Sequence, residues 1–384
     1  MKRRVLILFG GRSAEHEISL LSARNVFLAL DRTRFEPVLV GIDKQGRWRI
    51  EPEQTLLEAT GDPRLVAMKG AGAELAVPVR PASASSGPYR GSDTPSLTLP
   101  RSAGEGGEQI FASEDVVFPV LHGTYGEDGT VQGLLELADV AYVGAGHLGS
   151  AVGMDKDVTK RLLAHAGIPV VPWRVCTAAG LHRDPDGVLA RVAALGFPLF
   201  IKPANAGSSV GVSKVKSLAE LLPALRTAFT FDRKALAEAA VDAREIECAV
   251  LGNDEPQASI PGEIVVSHPD GFYSYDAKYV DPDGAAWKIP GDISPETAER
   301  VRHLSVETFR VLELCGMSRV DFFLDRRTGA LYVNEVNTIP GFTAISMYPK
   351  MWEASGLSAQ DLVSRLIDLA IERRAERRAL KTNL

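Results

Sequence analysis

The chain has 384 residues, of which 45% are hydrophobic and 24% are charged, and its formal net charge is −6. These values are typical of a globular protein of two or three domains, and they exclude a general attraction to nucleic acid or to an anionic membrane. No apolar run is long enough to span a bilayer, so we expect a cytoplasmic protein without membrane contact. Three widely spaced cysteines indicate reduced thiols rather than a disulfide framework or a zinc site.

The first 150 residues begin as an α/β unit. Residues 4–9 read as a buried strand, residues 10–13 as a glycine turn and residues 17–30 as a helix. Glu15 stands at the start of that helix, where an acidic residue is often only a surface residue favoured by the helix dipole. Residues 35–42 predict a second strand.

A polar loop at residues 122–129 follows a predicted strand at 114–120. A glycine-rich loop at the carboxyl end of a strand is where open α/β sheets bind ligands. His122 in this loop is as consistent with a structural hydrogen bond as with a substrate contact. A short strand at 142–146 closes the unit. Residues 80–110, rich in Ser, Gly and Pro, predict an exposed insertion to which we assign no chemistry.

A second unit is predicted over residues 151–240. It opens with a helix at 154–167 and a strand-like segment at 168–175. Lys156 and Lys160 share one face of that helix, and a solvated basic face is the usual explanation of such a pair.

A phosphate-binding loop is predicted in the same unit. Lys202 ends a strand at 200–203 and precedes a loop of small residues at 204–211. Such a loop lets backbone N–H groups approach phosphate oxygens while the lysine supplies a positive charge. A flexible turn between strands is the alternative. An apolar segment at 235–240 contains Glu238.

The third unit is predicted over residues 241–384. Residues 244–251 alternate like a strand, and a long loop at 273–290 predicts a lid over a site. A helix is predicted at 295–315. A closing helix at 358–381 carries a charged tail that is most simply a solvated face.

The most informative stretch, residues 319–347, predicts a β-hairpin. Two alternating runs are separated by Arg-Arg-Thr-Gly. If Phe323 lies opposite Val333, then Asp321 lies opposite Glu335. Two facing carboxylates repel each other, so a purely structural hairpin would rarely carry them unless a cation lay between them.

The same register places Arg319 opposite Asn337, so that four polar side chains share one face of the hairpin. Two carboxylates and an amide, with no Cys or His nearby, suit a hard ion such as Mg²⁺ better than zinc. The alternative is a solvated face whose charges are paired by Arg319 and neighbouring lysines.

Further blocks of sequence extend these observations across nearly the whole chain except the 80–110 insertion. They are GGRSAEHE at 10–17, HG at 122–123, GEDG at 126–129, MDK at 154–156, KP at 202–203 with GSSVG at 207–211, RE at 244–245, YDAKY at 275–279, and NEVNT at 334–338 with PG at 340–341. In this order the blocks resemble those of the D-alanine:D-alanine ligases, a family of ATP-grasp enzymes.

The resemblance implies an α/β fold of three domains with the nucleotide held between the central and C-terminal domains. It implies that ATP phosphorylates the carboxylate of one D-alanine and that the amine of a second D-alanine displaces the phosphate. The implied cofactors are ATP and two Mg²⁺ or Mn²⁺ ions, with a role for K⁺ left open. The implied partners are two D-alanine molecules and a second copy of the chain in a homodimer, and no nucleic acid.

The resemblance also implies roles for individual residues. The metal ions would be held by Asp321, Glu335 and Asn337. The nucleotide would be bound by Lys156, Lys202, Ser208, Ser209, Glu238, Val241, Glu245, Lys278 and Asn334. The catalytic residues would be Glu15, Ser208, Tyr279, Arg319, Gly341 and Ser346. The two D-alanine molecules would contact Glu15, His122, Lys278, Ser346 and Met347.

One departure from the family pattern concerns the adenine side. The family usually has a charged residue and then an aromatic one after the glutamate, whereas Ala239 and Ala240 follow Glu238 here. We therefore expect the adenine to rely on backbone hydrogen bonds and on aliphatic contacts such as Val241. Tyr279 favours an amine as the second nucleophile, because similar ligases that form D-alanyl-D-lactate lack it.

Two rival functions are left open by the sequence. One is an ATP-grasp ligase that joins D-alanine to another D-amino or D-hydroxy acid. The other is a nucleotide-binding protein without catalysis.

Overall fold

The computed structural model describes residues 2–58, 68, 74–75, 111–266 and 285–381. In these residues the chain forms three β-sheets with helices packed against them, which confirms the predicted α/β class. The strands are β1 (Arg3–Gly10), β2 (Phe35–Ile42), β3 (Trp48–Glu51), β4 (Glu74–Leu75), β5 (Val116–Pro119), β6 (Ala141–Tyr142), β7 (Trp173–Thr177), β8 (Leu199–Pro203), β9 (Ser213–Val215), β10 (Lys234–Ala239), β11 (Ala243–Gly252), β12 (Gln257–Ala258), β13 (Gly262–Val266), β14 (Ala285–Lys288), β15 (Gly316–Asp325) and β16 (Leu331–Asn337).

The helices of the described residues are α1 (His16–Ala29), α2 (Glu53–Leu57), α3 (Thr130–Leu137), α4 (His147–Met154), α5 (Lys156–His165), α6 (Ala178–Arg183), α7 (Pro185–Ala193), α8 (Leu218–Ala228), α9 (Pro295–Val311), α10 (Met347–Ala354) and α11 (Ala359–Ala379). None of these helices combines the length and the apolar character needed to cross a membrane.

The first sheet has the strand order β4-β3-β2-β1-β5-β6, and its central strands are parallel. Because both faces of a parallel sheet are covered, its middle strand is apolar, and residues 5–9 of β1 are at most 1% exposed. The strand predicted at 35–42 coincides with β2. The strand predicted at 142–146 is wrong beyond Tyr142, because the chain turns at Gly144, whose φ is 95°, and enters α4.

The second sheet is antiparallel, with the order β7-β10-β8-β9. The helix predicted at 154–167 is confirmed as α5 but begins two residues later than predicted, because Asp155, with a ψ of 100°, separates α5 from α4. The Asp155 side chain accepts hydrogen bonds from the backbone N–H groups of Asp157 and Val158 and so caps α5. This cap places Lys156 in the first turn of α5. The strand predicted at 168–175 begins only at Trp173.

The third sheet has the order β14-β13-β11-β15-β16, with β12 paired to β11, and contains the predicted hairpin. Asp321 lies opposite Glu335, as predicted. The predicted pair of Phe323 with Val333 is wrong, because Phe323 lies opposite Tyr332. A β-bulge next to Asp321 shifts the register by one residue. The predicted pair of Asp321 with Glu335 is therefore confirmed, although the pair of Phe323 with Val333 from which it was derived is wrong.

The C-terminal helix α11 joins the far end of the chain to the first sheet. Its apolar residues belong to the same buried cluster as β1 and α1. The charged tail was predicted to be solvated, which is wrong for the half-buried Arg373, whereas Arg378 is exposed as predicted. Arg373 donates to the backbone oxygen of Tyr142 at 2.9 Å, and Arg378 donates twice to Asp139 at 2.8 and 2.6 Å.

Phe342 provides a test of how the core supports the loop after β16. Its ring packs edge-on against Phe118, with centroids 6.1 Å apart, and lies 5.6 Å from the ring of Tyr348. Phe342→Ala should lower the free energy of unfolding by about 3–5 kcal/mol, since it leaves a cavity in the core. Phe231→Ala, at a side chain that is 53% exposed, should change it by less than about 0.5 kcal/mol. Equal effects of the two changes in urea denaturation would contradict this packing.

Candidate active site

A cavity of about 510 Å³ is lined by residues of both the second and the third sheet. Its volume lies within the range of small-molecule and cofactor sites. The nucleotide- and metal-binding candidates that line it are Lys156, Lys202, Ser209, Glu238, Val241, Glu245, Asp321, Asn334 and Glu335. The structure therefore brings together residues that are up to 179 positions apart in the sequence.

The β-bulge in the hairpin decides which side chains reach this cavity. In a regular strand, adjacent residues point to opposite faces. Asn334 has no partner in the ladder with β15, and both Asn334 and Glu335 line the cavity. The bulge thus aims two consecutive polar residues at one site, which is a common use of bulges beside functional sites.

Arg319 is surrounded by acidic side chains of the third sheet. It donates two hydrogen bonds of 2.7 Å to the two oxygens of Asp321, and its Nε lies 3.1 Å from Glu247. Asn337 Nδ2 donates to Asp321 at 3.0 Å. Burial alone would lower the pKa of Arg319, but Asp321 and Glu247 raise it. Arg319 therefore remains a fixed cation.

The charged side chains around the hairpin have a net negative charge, which a cation could neutralise. Glu247, Asp321 and Glu335 bring three carboxylates, while Arg319 and Lys156, whose Nζ is 3.7 Å from Glu335, bring two positive charges. Within the described ranges, no three Asp, Glu, His or Cys side chains are grouped so as to hold a metal ion. The predicted donor set consists of two acids and an amide, all oxygen donors, and such donors with excess negative charge fit a hard ion of the Mg²⁺ type.

The two predicted phosphate-binding lysines approach the cavity from different elements. Lys156 Nζ donates to the backbone oxygen of Ala206 at 2.7 Å. Lys202 Nζ lies 2.5 Å from Glu238 and 3.3 Å from Asn334 Oδ1. Both ammonium groups are thus held in place by protein oxygens, which orients them without a ligand.

Lys160 is not part of a solvated basic face, contrary to the prediction. It is 1% exposed, and its Nζ lies 3.1 Å from Glu238. Burial alone would raise the pKa of Glu238, but Lys160 and Lys202 outweigh it and lower that pKa to about 2. The sequence predicted Glu238 at the adenine, whereas its carboxylate is bound by two lysines.

Glu15 reaches the phosphate-loop candidate from the first unit. Ser208 donates a hydrogen bond from its hydroxyl to Glu15. A Cβ atom at Gly123 or at Gly207 would lie 2.9 Å from Glu15 Oε2, so a side chain at either position would displace the Glu15 carboxylate. Ser208 and Ser209 have φ values of 48° and 59°, a conformation that costs an L-residue on the order of 1 kcal/mol.

Both ring nitrogens of His122 are bonded to protein groups. Nδ1 lies 3.0 Å from the backbone oxygen of Ile339, and Nε2 lies 3.1 Å from the hydroxyl of Ser22. A carbonyl oxygen only accepts, so Nδ1 carries the proton and Nε2 accepts from Ser22. Burial lowers the pKa of His122, which keeps the ring neutral. Of the two readings left open, this geometry favours the structural one.

Glu127 is a buried acid that sequence reasoning did not assign to the site. It accepts hydrogen bonds from the backbone N–H of Gly123 at 2.7 Å and of Ile339 at 3.3 Å. Burial and the neighbouring Glu15 raise the pKa of Glu127 to about 8. Its carboxyl group thereby joins the loop after β5 to the loop after β16.

The loop after β16 and the first residue of α10 contain three more predicted residues. Ser346 accepts a hydrogen bond from the Thr343 N–H at 2.9 Å and directly precedes α10. A Cβ atom at Gly341 would lie 2.8 Å from Ser346 Oγ, so a side chain there would displace the Ser346 hydroxyl. Met347 is 4% exposed and packs in the core, so only its backbone is available to a substrate.

Two predicted residues, Lys278 and Tyr279, lie outside the described residues, together with most of the predicted lid.

Two family models match the chain, and together they cover most of it. A family model described as the D-ala D-ala ligase N-terminus matches residues 4–145, and one described as the D-ala D-ala ligase C-terminus matches residues 162–368. The chain belongs to the D-alanine–D-alanine ligase family. A relative from Bradyrhizobium diazoefficiens named D-alanine–D-alanine ligase A is 49% identical over 99% of this chain and 98% of its own length.

Solved structures of the family share the fold. The D-alanine-D-alanine ligase from Coxiella burnetii has a TM-score of 0.80 and 37% identity, and covers 98% of this chain and 96% of its own. The VanG D-Ala:D-Ser ligase from Enterococcus faecalis has a TM-score of 0.77 and 33% identity, and covers 96% of this chain and 100% of its own. The predicted ATP-grasp fold is thereby confirmed.

Three buried charged residues were missed or misjudged by sequence reasoning in this ligase-family chain. Glu247 is two residues from Glu245 on β11, so strand alternation could have placed it on the same face. Glu127 stands within the GEDG block that carried the resemblance. Lys160 is one helical turn from Lys156, but a helical period alone does not tell which face is covered.

Arg319 should be required for the stability of the third sheet. Arg319→Met leaves the carboxylates of Asp321 and Glu247 buried without their cation, which should lower the free energy of unfolding by about 3–5 kcal/mol. Arg326→Met, on the same hairpin but 55% exposed and paired with Asp242 at 3.4 Å, should cost less than about 1 kcal/mol. Similar urea midpoints for the two variants would argue against this assignment.

Glu127 should make stability depend on pH. Its pKa is about 8 in the folded protein against an ordinary 4.5, so the native state holds a proton that the unfolded chain releases within this range. The free energy of unfolding should therefore fall as pH rises from about 4.5 to about 8, by at most about 1.4 kcal/mol per pH unit. Glu127→Gln should remove this component of the slope. The measurement is urea denaturation of the parent and of Glu127→Gln at a series of pH values. Equal slopes of the free energy of unfolding against pH for the two proteins would refute this prediction.

Proposed function

We propose that this chain joins two D-alanine molecules to D-alanyl-D-alanine with ATP, releasing ADP and phosphate, for the synthesis of peptidoglycan precursors. Family membership over the whole chain carries the proposal. The cavity supports it, because lysines, an acid pair and an amide converge there from two sheets. The three proposed domains are residues 1–150, 151–240 and 241–384.

Phosphoryl transfer between two anions needs charge neutralisation and alignment more than covalent help. Lys156 and Lys202 would contact the nucleotide phosphates, and Lys278 the phosphoryl group that is transferred. Asp321, Glu335 and Asn337 would hold two Mg²⁺ or Mn²⁺ ions, which neutralise the phosphates when bound. The requirement for these ions, and any role of K⁺, is part of the proposal.

The first D-alanine would bind through its ammonium group to Glu15. Ser208, which already donates to Glu15, would orient this carboxylate together with Tyr279. His122 would act on the substrate through the loop after β16, because its ring binds the Ile339 carbonyl.

The second D-alanine would bind near the N-terminus of α10. Its carboxylate suits Ser346 and the backbone N–H of Met347, because a helix N-terminus favours an anion. Its amine would attack the acyl phosphate. Arg319 and the Gly341 N–H would then stabilise the oxyanion, where a fixed donor is worth on the order of 10²–10³ in rate.

The adenosine would occupy the part of the cavity lined by Glu238, Val241 and Glu245, with Ser209 and Asn334 nearer the phosphates. We also propose a homodimer in the cytoplasm, where ATP is supplied.

A ligase for a different second substrate is the rival within the family, since the VanG relative is titled a D-Ala:D-Ser ligase. It would share the metal and phosphate residues. A nucleotide-binding protein without catalysis is the rival outside it. It would bind ATP without releasing ADP.

ADP release distinguishes these functions. With D-alanine alone, the chain should release ADP and form D-alanyl-D-alanine, and added D-serine or D-lactate should not raise the rate. Glu335→Gln should lower kcat by about 10²–10³-fold, since it removes an anionic ligand of the metal ions that would neutralise the phosphates. The same change at the exposed Glu353 should leave the rate unaltered. No turnover with D-alanine alone would refute the proposal.

A further inference from the structure

Lys160 is a fully buried lysine whose ammonium group faces the carboxylate of Glu238. Its Nζ lies 3.1 Å from Glu238 Oε1 and 5.9 Å from the centre of the Trp173 ring. Beyond that ion pair, the ammonium group makes no hydrogen bond in the described part of the chain. Burial lowers the pKa of the Lys160 ammonium group, and the Glu238 carboxylate beside it acts in the opposite direction and favours the charged form.

Glu238 is shared between two lysines. Its Oε1 faces Lys160, and its Oε2 lies 2.5 Å from Lys202. Lys202 lines the cavity and also contacts Asn334 at 3.3 Å, whereas Lys160 is not among the lining residues. Lys160 therefore approaches the carboxylate from behind, and Lys202 approaches it from the ligand side.

The charge of this trio depends on Lys160. Lys202 and Glu238 alone would form a neutral pair, and a neutral pair attracts a polyanion weakly. With Lys160 the trio has one positive charge in excess. Where the lysine side chains are only 1% and 11% exposed, one such charge changes the binding of an anion strongly.

We propose that Lys160 is a positioning residue for nucleotide binding: it neutralises Glu238, so that the charge of Lys202 is available to the nucleotide phosphates. This inference deepens the proposed function, because it takes ATP as the occupant of the cavity. It assigns a role to a residue that does not itself touch the ligand.

The alternative is a purely structural role, in which Lys160 only packs in the core and balances the charge of Glu238. Buried ion pairs can often be replaced by apolar residues of similar size without loss of stability. A packing role would alter the binding of adenosine and of ADP alike. A role at the phosphates would alter ADP only.

The test is calorimetric titration of the full chain with ADP and, separately, with adenosine, both with magnesium chloride at constant ionic strength. Lys160→Met should weaken ADP binding by about 10- to 100-fold and adenosine binding by less than about threefold. Lys216→Met, which removes the same charge at an exposed position, should change neither. Equal weakening of both ligands, or unchanged ADP binding, would overturn the proposal.

A double variant separates charge from folding. Lys160→Met with Glu238→Gln leaves Lys202 as the one charged member of the trio, so the ratio of ADP to adenosine affinity should return to within about threefold of the parent value. The double variant can also be tested if Lys160→Met does not fold, because it contains no Glu238 carboxylate that has lost the charge of Lys160. A ratio as low as that of the single variant, or below the parent by more than tenfold, would overturn the proposal.

These titrations do not depend on turnover. If the parent chain binds ADP but does not release ADP with D-alanine, the proposed ligase activity fails while the role of Lys160 can still be judged. If it is active and Lys160→Met weakens both ligands equally, only the role of Lys160 fails.

Discussion

The guanidinium group of Arg319 is the interaction on which the acidic face of the third sheet depends. Strand pairing brings Asp321 opposite Glu335 on one side and opposite Glu247 on the other. Three carboxylates so placed would repel one another, and Arg319 binds two of them directly. The sheet can therefore fold with an excess of negative charge that a cation can later use. The same residue is the one proposed to face the oxyanion of the reaction.

The candidate site is assembled by contacts between segments that are distant in sequence. Ser208 of the second unit binds Glu15 of the first, and Glu127 of the first binds the backbone of Ile339 in the third. Each contact uses a buried or half-buried polar group, so its loss would leave an unsatisfied group as well as a misplaced loop. The loops are thus held in one arrangement before any ligand arrives.

Sequence reasoning predicted the hairpin because alternation and a turn are local signals, and it placed Asp321 opposite Glu335. It did not predict the bulge at Asn334, although the apolar residues Val333 and Val336 on either side of it are three positions apart instead of two. It misjudged Lys160, because burial is decided by the sheet that packs on α5 and not by the helix itself. It missed α10 and the split at Asp155, where capping competes with a continuous helical pattern. The roles of individual residues came from the family resemblance and stay predictions.

The most direct measurement is a crystal structure of the chain with ADP and Mn²⁺, in which anomalous scattering locates the metal. The account predicts two manganese peaks among Asp321, Glu335 and Asn337, next to the phosphates of a nucleotide that contacts Lys156 and Lys202. A bound nucleotide with no manganese peak between Asp321 and Glu335 would contradict it.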